Sequence, residues 1–388
     1  MRAFLALVAL TVAAPVARAQ DADAPSADAP SVDDGDDDGD DAAQPPPREP
    51  PAPAPHREWS LELGGRVFVR DTVSRIDVGD GVWRHERAID QARVSASYER
   101  KRLRLELEVD FAGDDATLKD TYIRLEPAKA LRVQAGRFKV PMSFLGRESK
   151  WRIPSIERGL LSELELDDRD LPFAGGRAEG LAIELRPRVA LEPRVTAALF
   201  QSPLASGLAP VDPSEDVTQD LYARAEIEPI SHIHLAAGFA MVGYDEQLGV
   251  ADTFRHLALG SVELHADTRH LRAWLEGFAG QSFAHQSNGA SSGAFLAARA
   301  LVSPRLRKPG AGIYRIEPYA GGSLFDPTDE VDGDRVSEVV AGVNVAFSRH
   351  WRVQIEGAQR VAEGLASPVA DSTLIRVQLG AAFEERVE

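Results

Sequence analysis

Arg102-Leu103-Arg104-Leu105-Glu106-Leu107-Glu108-Val109-Asp110 alternates charged and apolar side chains without a break. Successive side chains of a strand point to opposite faces, so five charged groups share one side and four apolar groups the other. One face needs water and the other avoids it. An Arg or Lys facing lipid costs about 2 to 4 kcal/mol at mid-membrane, so the charged side, with Arg102 and Arg104, is expected to line a watery interior.

Outward from this stretch, the chain from Trp59 onward reads as about sixteen such segments. The expected strands are 59–70, 88–99, 102–111, 117–126, 131–139, 179–187, 193–201, 220–228, 233–243, 254–265, 269–280, 293–303, 311–322, 335–347, 350–361 and 372–383. Their usual length suits a tilted strand crossing the hydrocarbon. Connections after even-numbered strands are short, as in Arg100-Lys101 and Ser348-Arg349, while those after odd-numbered strands are mostly long, as in 71–87, 140–178 and 202–219. Ser303 to Gly310 is a longer turn than this rhythm requires, and Ala112 to Ala116 a shorter loop. The pattern predicts an all-β fold, a transmembrane antiparallel up-and-down β-barrel of about 16 strands with long extracellular loops and short periplasmic turns. Trp59, Tyr98, Phe111, Phe138, Phe200, Tyr222, Tyr244, Trp351 and Phe383 fall near strand ends, where interfacial girdles place aromatics. A secreted β-sandwich also alternates, but sixteen strands would need two domains, and no linker between them is evident.

Composition sets the surroundings. The first nineteen residues read as a secretory signal, with Arg2, an apolar run from Ala3 to Ala14, and Ala17-Arg18-Ala19 as a small-residue cleavage site. No later run reaches the roughly 20 apolar residues of a spanning helix, so any span must be built from strands. The chain has no Cys, which excludes disulfides and thiolate metal sites. The formal charge is −17, and eleven carboxylates crowd into Asp21 to Glu49 with Arg48 as the sole cation. Residues 20–56 are therefore expected to be a disordered, acidic, Pro-rich periplasmic arm, and 57–388 the barrel. Within the arm, Asp34, Asp36, Asp38 and Gly39 match the opening of a calcium loop, but Pro45 stands where the bidentate Glu belongs. No basic face dominates, so a nucleic-acid partner is not expected; outer-membrane lipid and small solutes are.

The 140–178 loop is the longest, and by analogy with other barrels of this design, not from its own residues, it is expected to fold inward. Around its start lie Arg137, Lys139, Arg147, Lys150, Arg152 and Arg158, against Glu148 and Glu157. In a narrow lumen such a cluster would attract anions, since Arg matches the forked geometry of phosphate or carboxylate. These six, with Arg102 and Arg104, are the candidate pore residues. Alternatively, the cluster is neutralised by Glu163, Glu165, Asp167, Asp168 and Asp170 further along the loop.

Four motifs, in this order and spacing, resemble the phosphate-selective porins O and P of Gram-negative outer membranes: Asp110-Phe111-Ala112-Gly113, Leu118-Lys119-Asp120-Thr121-Tyr122-Ile123, Gly136-Arg137-Phe138-Lys139-Val140-Pro141 and Ile156-Glu157-Arg158. The resemblance implies a sixteen-stranded, trimeric barrel that passes small anions such as phosphate by diffusion through a constriction of arginines and lysines, with no catalysis and no cofactor. Barrels of that family typically finish on an aromatic residue, whereas here Phe383 is followed by Glu384 to Glu388.

Other readings are a general or cation-tolerant porin, an outer-membrane acyl hydrolase and a structural anchor barrel. Gly289-Ala290-Ser291-Ser292-Gly293 has the spelling of a nucleophile elbow with His285 nearby, but such an elbow needs a following helix and this stretch leads into a strand. His232 and His234 alternate as metal ligands could, and Glu263, His265 and Asp267 share a face; both groups read as structural, and no metal is expected.

Overall fold

The computed structural model describes residues 59–76, 81–113, 115–162, 165–166, 169–170, 176–201, 219–246, 253–282, 293–310, 312–364 and 370–387. The expected signal segment and acidic arm lie outside them.

Sixteen antiparallel strands close into one barrel. The first half comprises β1 (Trp59–Ile76), β2 (Val82–Arg100), β3 (Leu103–Asp110), β4 (Thr117–Ala128), β5 (Leu131–Lys139), β6 (Arg177–Leu185), β7 (Arg194–Gln201) and β8 (Gln219–Ile230). The second comprises β9 (Ile233–Glu246), β10 (Thr253–Asp267), β11 (Leu271–Gln281), β12 (Ala294–Pro304), β13 (Ile313–Asp326), β14 (Val336–Ala346), β15 (Trp351–Ala362) and β16 (Ser372–Val387). Each strand pairs with its sequence neighbours, and β16 returns to β1 in a continuous register from Leu61↔Val387 to Ile76↔Ser372. Closure leaves no unpaired edge, the condition a sheet must meet inside lipid. No helix among the described residues is long and apolar enough to span a membrane.

The opening stretch keeps its promise at the level of side chains. Leu105 and Leu107 are exposed on the outer face, in register with Ile123 and Thr121 of β4, while Glu108 and Asp110 are buried. Around the barrel the outer face carries Leu181, Ile183, Leu199, Val262, Val339 and Ile355. The inner face carries buried charges such as Arg224, Glu276, Arg299, Glu317, Arg352 and Glu356. Trp59 stacks on Tyr98, and with exposed Phe347, Trp351 and Phe383 it marks the rim of the short turns.

Three boundaries differ from the sequence expectation. β1 and β2 extend to Ile76 and back to Val82, because their ladder continues where both faces are wet and apolar alternation has ended. Ser303 to Gly310 is not a turn: Leu306–Gly310 pairs with β13 as a continuation of β12. At the interruption Arg305 buries its side chain on the inner face, where it binds Asp267 at 2.7 Å and Glu317 at 3.2 Å. The residues after Phe383 stay in β16, paired with the start of β1 through Glu385↔Leu63 and Val387↔Leu61.

Gly136, inside β5, has φ +125°, and a Cβ there would stand 2.2 Å from the Thr121 carbonyl. Only glycine permits so close an approach of β4 and β5 just before the long loop.

Ile355 faces outward midway along β15, opposite Val343 and Val377, whereas Val361 lies near the strand end. Ile355→Arg should cost about 2 to 4 kcal/mol and Val361→Arg about 0 to 1 kcal/mol. Urea titration of the protein folded into lipid vesicles measures both, and equal costs would contradict an outer face set in hydrocarbon.

Candidate functional site

Residues Val140 to Ser162 of the long loop run across the barrel interior, because the inner wall supplies partners for the loop's backbone. Four wall carboxylates accept backbone N–H groups: Glu263 from Phe144 (2.8 Å), Glu276 from Leu145 (2.7 Å), Glu356 from Ile156 (3.1 Å) and Glu338 from Leu160 (2.9 Å). Wall donors answer the loop carbonyls: Arg352 binds those of Lys150, Trp151 and Ile153, Gln354 those of Pro154 and Ser155, and Arg299 that of Arg158. Arg272 reaches the Arg152 carbonyl. Ser143 caps a four-residue helix, α1 (Phe144–Arg147): its Oγ accepts from Gly146 N and Arg299 and donates to Glu276.

Apolar packing completes the seat. Val140, Met142, Leu160 and Leu161 join Phe138, Phe200, Tyr222, Phe278 and Phe295, while Leu145 and Ile153 pack with Trp274, Leu301 and Tyr319. The loop thereby fills the lumen against β9–β15 and packs on Phe138, Phe200 and Tyr222 of β5, β7 and β8, leaving an open space along the rest of β1–β8.

That space is a cavity of about 1020 Å³. Its lining has 13 Arg and Lys against 8 Asp and Glu. Arg66 of β1 stands directly opposite Arg93 of β2, and Arg104 of β3 opposite Arg124 of β4. Like charges in direct register repel, so these pairs need counter-charges or a solvated lumen. The first pair has carboxylates: Arg66 binds Glu108, and Arg93 binds Glu108 and Asp110. Arg177 binds Asp120 at 2.8 Å. In the second pair Arg104 binds Glu106, but Arg124 gives its N–H groups to Gln134 and Tyr122 and has no ion pair among the described residues.

Of the eight residues singled out from sequence, Arg104, Arg147, Arg152 and Lys139 line the cavity. Arg152 projects furthest, its side chain 73% exposed and 3.7 Å from Glu148. Lys139 offers no free donor to a solute. Its Nζ turns under α1 and donates to the carbonyls of Gly146, Arg147 and Glu148, the groups a short helix leaves unpaired at its C-terminus.

The other four stand elsewhere, each for a physical reason. Arg137 is in register with Thr121 and Glu179, on the outer face shared with Leu181 and Ile183, and binds the Leu118 carbonyl. Arg102 lies at the β2–β3 turn and binds the Pro127 carbonyl near the end of β4. Lys150 is held between Asp90 (3.1 Å) and Glu157 (3.0 Å). Arg158 is turned into its own loop, on the carbonyls of Leu145 and Glu148. Burial lowers its pKa to about 10, so it remains cationic at neutral pH. The side chains of Glu163, Glu165, Asp167, Asp168 and Asp170, the expected alternative partners, lie outside the description.

The sequence reading passed over Arg66, Arg93, Arg124, Arg132, Arg177, Arg194 and Arg224, all on the cavity wall. Their signal was present strand by strand, as single arginines at inward positions, but no local cluster advertised them. His232 sits in the β8–β9 turn at φ +70°, while His234 stacks on His265, which stacks on Trp274. This cross-strand aromatic ladder does not gather a metal-ligand set among the described residues. Ser291 and His285 fall outside them.

No family model matches the chain, and no curated protein matches its sequence. Among solved structures it is similar to the outer membrane channel DcaP of Acinetobacter baumannii, with a TM-score of 0.61 and 11% identity over 84% of this chain and 97% of that one. It is similar also to an anion-selective porin from Comamonas acidovorans, with a TM-score of 0.60 and 13% identity over 84% of this chain and 100% of that one. A third is OmpF of Salmonella typhi in complex with daunomycin, with a TM-score of 0.57 and 11% identity over 83% of this chain and 97% of that one. At such identities the likeness is one of fold. The closed barrel with its apolar outer belt shares the fold of these outer-membrane channels.

Two outcomes test how the loop is held. Glu276→Ala strips Ser143 and Leu145 of their acceptor and leaves buried Arg299 without its carboxylate, a loss of about 3 to 5 kcal/mol. Single-channel recording should show larger open-state current fluctuations, and unchanged noise would contradict the latch. The second concerns pH. Burial raises the Glu157 pKa, but Lys150, Arg70 and Arg376 outweigh it and bring the carboxyl to about 2, below the value of an unfolded carboxylate. A depressed folded value means the contact stabilises fully above the unfolded pKa of about 4.3 and is lost as pH falls towards 2. Conductance attributable to loop position should therefore hold from pH 7 to pH 5 and change only in stronger acid.

Proposed function

We propose that this protein is an outer-membrane porin for passive diffusion of small solutes, biased towards anions such as phosphate, with no catalytic step. The observation that carries the reading is the excess of cations on the cavity lining, 13 against 8, concentrated on β1–β8 and the loop residues Arg147 and Arg152. Inside low-dielectric walls an excess of one sign raises the local concentration of the opposite ion. The candidate residues of this proposal are accordingly Arg104, Arg124, Arg147 and Arg152, which face the open space. The likeness to a porin described as anion-selective supports the same direction.

A general or cation-tolerant porin is the second reading. It is favoured by the ion pairs that compensate much of the wall, Arg66 and Arg93 with Glu108, Arg93 with Asp110, and Arg177 with Asp120.

The homotrimer implied by the resemblance belongs to the proposal as well. The outer face of β10–β13 carries small residues in adjacent registers, Gly260↔Ala279, Gly277↔Ala298 and Ala300↔Gly322, where other strands carry Leu, Ile and Val. Small residues let membrane segments approach closely.

Reversal potentials across a planar bilayer in asymmetric KCl should carry the sign of chloride preference. Arg124→Gln, which removes a cation that has no carboxylate partner among the described residues, should lower the chloride-to-potassium permeability ratio severalfold. Potassium preference in the unmodified protein would overturn the anion reading in favour of the second.

A further inference from the structure

The turn between β6 and β7, Arg186-Pro187-Arg188-Val189-Ala190-Leu191-Glu192-Pro193, carries two bare apolar side chains, Val189 at 60% exposure and Leu191 at 51%. By contrast the β10–β11 turn, Thr268-Arg269-His270, has none. Leu191 and Glu192 are both left-handed, at φ +71° and +42°. A bulky side chain is strained in that region, where glycine would be at ease. The turn is nevertheless firmly held. Arg186 N donates to the Ala130 carbonyl (2.8 Å), Glu192 N to that of Val189 (3.3 Å) and Glu228 N to that of Leu191 (2.7 Å). A leucine is thus kept in an unfavourable backbone conformation with half its surface uncovered. Leu185 and Val195, in register on the outer face, flank the turn on both strands, and Ile230, 64% exposed, ends β8 next to it. Arg188 and, on the neighbouring turn, Lys129 are exposed and have no ion pair among the described residues, and Glu192 is the one carboxylate of the two turns.

In water both the strain and the exposure of Leu191 would stand unrelieved; among acyl chains its apolar surface is covered again, which offsets the strain. Unpaired cations beside an apolar tip complete the match to a phospholipid surface, whose chains take the one and whose headgroup phosphates attract the other. We propose that the β6–β7 turn docks on the phospholipid leaflet at the rim of the short turns, with Val189, Leu191 and Ile230 among the acyl chains and Lys129 and Arg188 on anionic headgroups. The leaflet is the occupant because Leu185 and Val195, on either side of the turn, already belong to the apolar outer belt. Docking would fix the depth and tilt of β6–β8 in the bilayer, and it is independent of which ions the pore prefers.

The chain has no Cys, so a single nitroxide can be attached at one chosen position at a time. The full chain is folded into vesicles of phosphatidylcholine and phosphatidylglycerol in equal parts, and collisions of the label with oxygen and with a water-soluble nickel chelate are compared. Labels on Leu191→Cys and Val189→Cys should favour oxygen, as a label on Val195→Cys in the belt does, whereas one on Arg269→Cys in the β10–β11 turn should favour nickel. In phosphatidylcholine alone the protection from nickel at Leu191 should weaken severalfold, and Lys129→Gln combined with Arg188→Gln should abolish the difference between the two lipids. Neither side chain has a partner to lose among the described residues, so the double variant keeps the barrel. Turn labels as open to nickel as the label at Arg269 in both lipids would overturn the docking and point to a protein as the cover of the turn. Protection equal in the two lipids would overturn the headgroup contact and with it the proposal. The porin reading stands in either case, since it rests on the cavity and not on this rim.

Discussion

Carboxylates of the barrel wall bonded to backbone N–H groups of the long loop are the interaction on which the rest of this structure depends. A polypeptide threaded through a barrel at membrane depth has no sheet to join, yet its amides must still find partners. Glu263, Glu276, Glu338 and Glu356 provide acceptors, and Arg299, Arg352 and Gln354 provide donors to the carbonyls. The dependence runs both ways. Without the loop these wall charges, several of them almost fully buried, would be left facing one another across a wide lumen.

Seating the loop against β9–β15 makes the lumen lopsided. One side becomes a packed interior of Phe, Leu and Trp; the other keeps an open cavity lined by the arginines of β1–β8. The position of the loop thus selects which wall charges face the cavity and which are consumed in holding it. Arg299 and Arg352 are as strongly charged as Arg104 and Arg124, but the former are spent on the loop and the latter remain on the cavity. Counting basic residues along the chain therefore says little about the pore until each has been assigned its partner.

The same distinction explains what was legible in the residues. Alternation at 102–110 identifies an outer and an inner face, because a strand's side chains must alternate whatever surrounds them. Sixteen such stretches, with turns short and long by turns, were enough for the barrel, and the strands lie within a few residues of where the pattern placed them except where it faded, in the extensions of β1 and β2 beyond the apolar belt. The basic cluster around the start of the loop was equally visible, yet Lys139, Lys150 and Arg158 are turned onto carbonyls or carboxylates, and Arg137 points outward. Meanwhile Arg124 and Arg224, isolated in their own strands, come to the cavity because neighbouring strands bring them there.

By itself, then, the sequence determined which residues form strands and which side of each strand meets lipid, since both follow from a period of two and from the cost of placing charge in hydrocarbon. Only the tertiary structure decided which cations face the open cavity. The partners that settle this lie far apart along the chain: the Arg352 guanidinium meets the Lys150 carbonyl 202 residues away, and Glu356 the amide of Ile156 at a separation of 200. No local pattern encodes such a pairing, because the competition for each charge is resolved only when the closed sheet brings its competitors within hydrogen-bonding distance.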